Sequence, residues 1–272
     1  FYECFTPDYR NWSGSDFTAQ NQRLVYWPML KTGDFEAMKP QFDFYNNILE
    51  AGKTRAKLYW GEEGAYFPEQ LSCFGTSVCA EYKWNRRREV PDGEDDNSWV
   101  RMHYSSALEF ALMILEYADY SGEDITDYLE FIDSVIRFYF VHYGRDEEGK
   151  LETYKGDPYS ADGEAYGAAN PMDVAAGLKD LLDALIRYGE KHGTDTEEYI
   201  EWRRICPSLP IGKEEGKTVF LPAQEYNPVP FNCEIPQLYP VFPYSIRGLS
   251  EEEKEIGRNT YNSPSIEGEQ RL

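Results

Sequence analysis

The sequence predicts an all-α protein assembled from antiparallel helical hairpins, and three observations predict it. Apolar residues recur at three- and four-residue steps over several long stretches. Successive stretches are joined by short polar turns, which makes them antiparallel neighbours. Strand-like signals are weak and brief, Thr218 to Leu221 being an example. Hairpins linked by long loops gathered on one face suggest an (α/α) helical toroid with a cleft at one end. A plain bundle with decorated loops is the alternative.

The elements follow in order. Residues 35–51 read as a helix with Phe42, Tyr45, Ile48 and Leu49 on one stripe, ended by Ala51-Gly52. Pro40 limits where its regular part can begin. The clearest helix runs from Tyr104 to Tyr120, where Leu108, Ala111, Leu112, Leu115 and Ala118 keep the period and Ser121-Gly122 stops it. The next starts near Thr126, carries Leu129, Ile132, Val135, Ile136 and Tyr139, and stops between His142 and Gly144. A second pair follows: Asp173 to Gly189, then Glu197 to Ile205 after the cap Thr194-Asp195-Thr196. A last helix begins after Ser250, with Glu253 at the capping-box position.

Residues 84–100, 144–171 and 207–249 carry little helical pattern. Loops of such length in a compact domain are functional or disordered, and their Trp, Tyr and Pro content argues against disorder. Only 91–98, an acidic run, reads as a solvated excursion. There is no convincing linker, so residues 1–272 form a single domain.

Composition narrows the function. A net charge of −22 disfavours nucleic acid and anionic membrane surfaces as partners. No apolar run is long enough for a membrane span. Arg86-Arg87-Arg88 is followed by acids and reads as a locally paired loop. Aromatic residues make up 16% of the chain, with 22 tyrosines. That suits either a Tyr-rich core or a carbohydrate surface, where an amphipathic ring gives contact area at little rotamer cost. The five cysteines lack CxxC spacing and there are three histidines, so no zinc cluster is expected. Cys73 and Cys79 could close a small disulfide; buried free thiols are the simpler reading. No metal or other cofactor is expected. The chain starts at Phe1, so the lack of a signal peptide says nothing about secretion.

Aromatic residues stand beside carboxylates in four segments. Glycosidic bonds are broken by acid/base carboxyl groups, and sugars rest on flat apolar faces. In the stretch from Gly156 to Asp173, Asp173 follows Pro171 at or near a helix N-cap, which explains it without function. Glu164 has no such local task, and a carboxyl beside aromatic rings can have its pKa raised as a general acid requires. An ordinary exposed loop acid is the alternative. Trp60, Glu62 and Glu63 lie in Trp60-Gly61-Glu62-Glu63-Gly64-Ala65-Tyr66-Phe67-Pro68-Glu69, where Glu69 could cap a short helix after Pro68. Tyr26 and Trp27 follow Asn21 and Arg23, with core packing the alternative for the rings. None of the histidines has a sequence neighbour that suggests a dyad, and no nucleophile elbow, P-loop or dinucleotide fingerprint is present.

Four segments, in order, resemble one family. They are Gln20-Asn21-Gln22-Arg23-Leu24-Val25-Tyr26-Trp27-Pro28-Met29-Leu30; Gly61-Glu62-Glu63-Gly64-Ala65-Tyr66-Phe67-Pro68-Glu69; Asn170-Pro171-Met172-Asp173-Val174-Ala175-Ala176-Gly177-Leu178; and Asn232-Cys233-Glu234-Ile235-Pro236-Gln237-Leu238-Tyr239-Pro240-Val241-Phe242-Pro243. The chain resembles the catalytic domain of six-hairpin glycosidases, in the neighbourhood of glycoside hydrolase family 95. The resemblance implies a toroid and inverting hydrolysis of a glycosidic bond in a plant or host glycan. It gives Glu164 the general acid's place and Asn21 one of two water-orienting amide positions. Ala19 stands at the second, and Asn232-Cys233-Glu234 replaces a His-rich stretch, so fucose specificity and the base do not carry over. Substrate contacts are expected from Tyr26, Trp27, Trp60, Glu62, Glu63, Glu225, Asn232, Glu234 and Tyr239. The family continues past the helix after Ser250, so a partial toroid is expected, lacking N- and C-terminal parts that a missing segment or second chain would complete. A glycan substrate favours a periplasmic or extracellular location. A non-catalytic carbohydrate-binding protein and a polysaccharide lyase are the rival readings; a lyase needs cations that this acidic chain supplies sparsely.

Overall fold

The structure is a computed structural model that describes residues 17–76, 105–153, 168–226, 235–244 and 249–266. Those residues are mostly helical, with a few short antiparallel strands. The helices are α1 (Ala19–Thr32), α2 (Phe35–Asn47), α3 (Leu49–Trp60), α4 (Ser106–Ser121), α5 (Leu129–His142), α6 (Met172–His192), α7 (Glu197–Ile205) and α8 (Glu251–Tyr261). The strands pair as β1 (Phe17–Thr18) with β2 (Gln70–Leu71), β3 (Gly144–Arg145) with β4 (Leu151–Glu152), β5 (Ala169–Pro171) with β8 (Ala223–Glu225), and β6 (Ile211–Glu214) with β7 (Lys217–Phe220).

The all-α class follows from how α4 is built. Twelve of its sixteen residues are buried, so it can only be a central helix. It packs against α1, α2, α5 and α6. Contacts at both ends fix directions. Glu69 joins the N-terminal ends of α1 and α4, bonding Gln20 N–H and the Ser106 hydroxyl, and Lys31 donates to the Tyr120 hydroxyl near their C-terminal ends. The two helices are therefore parallel. Leu108 meets α6 beside Gly177, and Arg187 pairs with Asp119 at 3.3 Å near the other end, so α6 runs the same way. The return helices run opposite. Phe35 at the start of α2 packs on Tyr117 late in α4, while Tyr45 near its end packs on Phe110. Thr196, ahead of α7, crowds Gly189, and Arg203 near its end bonds Asp183. The result is a row of three parallel helices, α1, α4 and α6, whose N-termini share one end.

Several boundaries differ from the sequence expectation. The stretch 19–32, to which the sequence reading assigned no helix, is helical with Pro28 inside it. The expected single helix 35–51 is two helices that break at Ile48. Gly52 does not end the second: a Cβ there would lie 2.6 Å from the Phe67 ring, so the glycine is needed for close packing instead. Pro40 lies within α2 rather than ahead of it. Asp173 is the second residue of α6, after Pro171, which holds the N-cap position. The cap expected at Thr194-Asp195-Thr196 is present: Thr196 holds the N-cap position of α7 and Asp195 accepts from Glu197 N–H at 3.0 Å. The capping box of Ser250 and Glu253 forms as expected. The long loops 144–171 and 207–249 contribute β3 to β8, including the strand expected at Thr218. No helix among the described residues is long and apolar enough to cross a membrane.

Candidate functional site

The shared N-terminal end of α1 and α4 holds a small pocket with room for about one water molecule. It is lined by Ala19, Gln20, Arg23, Glu69, Ser105, Ser106, Glu109 and Phe110. Two carboxylates meet here, both buried. Glu69 arrives on the strand β2 approach; its backbone carbonyl accepts from Ala19 N–H at 2.9 Å, and its carboxylate accepts from Gln20 N–H and the Ser106 hydroxyl, each at 2.8 Å. Two helix N-termini therefore face one acid, and their dipoles favour its anion. The acid does not cap a short local helix after Pro68, as its sequence position suggested; it caps α1, far away in the chain.

Glu109 comes from the first turn of α4. One oxygen accepts the Trp27 indole N–H at 2.5 Å and the other lies 3.1 Å from the Arg23 guanidinium. Arg23 and Trp27 stand four residues apart on α1, so one helix face presents both donors to one carboxylate. The Arg23 guanidinium also sits 4.9 Å above the Tyr239 ring. Beyond it lies Tyr244, whose hydroxyl is pushed well above its ordinary value, first by burial and then by the charges of Glu109 and Asp173. Asp173 is fully buried on α6. Gly177 lets Tyr244 approach α6, since a Cβ there would lie 3.0 Å from the phenol carbon and oxygen. Carboxylates from α4, α6 and the segment before β2 are thus held around one guanidinium and two tyrosines. Such a site can orient hydroxyl groups and hold a proton or a water at a carboxylate oxygen.

The structure gathers some sequence candidates and separates others. Trp27 and Tyr239 belong to this cluster, both buried as packed members rather than as open platforms. Tyr26 is half-buried on the adjacent face, and burial raises its hydroxyl. Asn21 is exposed, on the opposite face of α1 from Arg23, and does not line the pocket. Trp60 and Glu62 form a second group: Glu62 lies 2.7 Å from His142 Nδ1, and the His142 ring stacks on Phe138 and meets Trp60 edge-on. That pair joins residues 80 positions apart, which is why no neighbour in sequence suggested it. Glu63 is exposed beside it, and Glu225 is exposed on β8. Glu164, Asn232 and Glu234 lie outside the described residues.

Sequence reasoning missed Glu109 entirely and gave Arg23 no role. One signal existed for Glu109: an acid in the buried run Ala107 to Leu115, where its cost demands partners. Asn170, in the third matching segment, adopts φ 46°; its amide oxygen accepts from Thr153 N–H and hydroxyl, and its nitrogen donates to Gln224. No group of metal-ligating side chains occurs among the described residues. Cys73 is a free, exposed thiol rather than a buried one, whereas burial pushes the Cys206 thiol up to about 12. No family model matches the chain, and no curated protein matches it.

Proposed function

We propose that this chain is the helical catalytic domain of a glycoside hydrolase, related to the six-hairpin enzymes it resembles. The observation that carries the reading is the convergence of Glu69 and Glu109 on one pocket at the shared helix N-termini, with Arg23, Trp27 and Tyr239 fixed around them. Hydrolysis of a glycosidic bond needs one carboxyl to protonate the leaving oxygen and another group to direct water. In this proposal Glu164 gives the proton and the pocket carboxylates hold the water. The parallel row α1, α4, α6 with antiparallel return helices suits the inner and outer layers of an (α/α) toroid, and closing that row into a ring is part of the proposal.

The test is Glu164→Gln. On a glycan with a poor leaving group the variant should lose most activity, about 100-fold or more, while keeping its affinity. Wild-type rates in the variant would sink the assignment. A second reading, a carbohydrate-binding protein without catalysis, is favoured by one observation: Asn21, the expected water-orienting amide, faces solvent away from the pocket. Binding without product release would select it.

A further inference from the structure

We propose that Asn170 is a positioning residue for the site, fixing the start of α6 and so setting Asp173 against Tyr244 beside Arg23 and Glu109, a role that rests on the hydrolase reading above. Among the described residues, two that are not glycine take a left-handed backbone: Asn170 at φ 46° and Glu215 at φ 49°. Glu215 needs no further account. Glu215-Gly216 is the two-residue turn of the β6–β7 hairpin, where both residues take positive φ. Asn170 is in no such turn. It stands where β5 passes into α6, directly before Pro171. A backbone held in so sparse a region persists where its surroundings over-determine it, and such places gather at functional sites.

Here the surroundings are hydrogen bonds. Thr153, fully buried, donates its N–H at 2.9 Å and its hydroxyl at 3.1 Å to the Asn170 Oδ1. The Asn170 Nδ2 donates to Gln224 Oε1 at 2.8 Å. One buried amide therefore ties the end of the β3–β4 hairpin and strand β8 to the start of α6. The Pro222 carbonyl, just ahead of β8, accepts the Met172 N–H at 2.8 Å and holds the same start. Asp173 comes next, fully buried, and its charge reaches the Tyr244 hydroxyl. Gly177, one turn further, lets the Tyr244 ring lie against α6. A shift of the helix start moves both contacts, and with them the tyrosine that feels Glu109 and Arg23.

Asn170→Gly keeps the backbone angle accessible and deletes the three bonds. Asn170→Asp keeps both acceptor bonds from Thr153, and the Gln224 amide can turn to donate the third. The full chain carrying carbon-13-labelled tyrosine is followed by NMR, with the Tyr244 ring signal assigned through Tyr244→Phe. The same samples are assayed for kcat and KM on oligosaccharides from xylan, xyloglucan, galactan and mannan. In Asn170→Gly the Tyr244 signal should move while far-ultraviolet circular dichroism stays unchanged, and kcat should fall about tenfold or more at near-constant KM. Asn170→Asp should return the signal and bring kcat to within about threefold of wild type. Should Asn170→Gly fail to fold, Gln224→Ala, at an exposed position, removes one of the three bonds and should move the same signal. A Tyr244 signal unmoved in the folded variants, or moved with kcat unchanged, overturns the positioning role. Failure of Asn170→Asp to restore signal and rate overturns it as well. A wild-type chain that releases no product overturns the hydrolase reading, and the Tyr244 signal alone then decides whether Asn170 places α6.

Discussion

Trp27 donates its indole N–H to Glu109 at 2.5 Å, across 82 residues of sequence and inside the core. A buried carboxylate is tolerated only when its oxygens are bonded, and here one oxygen accepts from the indole and the other from Arg23. The pair therefore does two tasks: it locks α1 against α4, and it orients the guanidinium that borders the pocket.

Trp27→Phe keeps most of the ring and deletes the donor. The variant should lose about 1–3 kcal/mol of stability, because a desolvated acceptor is left short of one bond. Denaturant unfolding followed by circular dichroism measures this as a lowered midpoint with an unchanged slope. A midpoint equal to wild type would show that the bond contributes nothing.

Gln41 gives the opposite expectation. Its side chain is buried in α2, 2% exposed, and neither amide atom has a hydrogen-bond partner. Gln41→Leu removes two desolvated polar groups at similar volume. It should stabilise the protein by about 1 kcal/mol, since replacing unsatisfied polar atoms with apolar ones of like shape recovers their desolvation cost. A raised melting temperature is the expected reading, and a fall would mean that the amide has a role in packing that its bonding does not reveal.

Acid dependence can be traced to α4 as well. Burial holds the Glu116 carboxyl above its ordinary value of 4.5, helped by Asp119 and Asp180 and opposed by Lys31 and Arg187. A raised folded value means that the folded state binds more protons than the unfolded state in the interval between the two. The stabilisation is present below the ordinary value and is lost as pH rises through the folded one. Glu116→Gln should therefore raise the melting temperature at pH 7 relative to wild type, and the advantage should vanish below about pH 4. An offset that does not change with pH would reject burial as the cause.

The hairpin from Ser106 to His142 was legible in the sequence because its apolar stripe is continuous and ordinary turn chemistry bounds it. The helix 19–32 was not. Its core face is shared by Ala19, Arg23, Trp27 and Leu30, and Leu24 and Val25 on the other side are more than half exposed, so the apolar period is blurred. Pro28 added a false break, although a helix tolerates it at the loss of one bond. The site was half legible for a related reason. Aromatic residues near acids could be seen along the chain, but Glu109 with Trp27, Glu69 with α1, and His142 with Glu62 are tertiary pairings that leave no local trace. Asn21 and Arg23 are neighbours in sequence, yet helical geometry sends one to solvent and the other to the pocket.

Hydrolysis itself is tested most directly by the fate of the water. Neutral oligosaccharides incubated with the chain in oxygen-18 water and analysed by mass spectrometry should yield fragments carrying one heavy oxygen at the new reducing end. Glu164→Gln should yield almost none over the same time. Unlabelled, unsaturated fragments would instead reveal elimination, and intact glycans after prolonged incubation at saturating protein would contradict the enzyme reading.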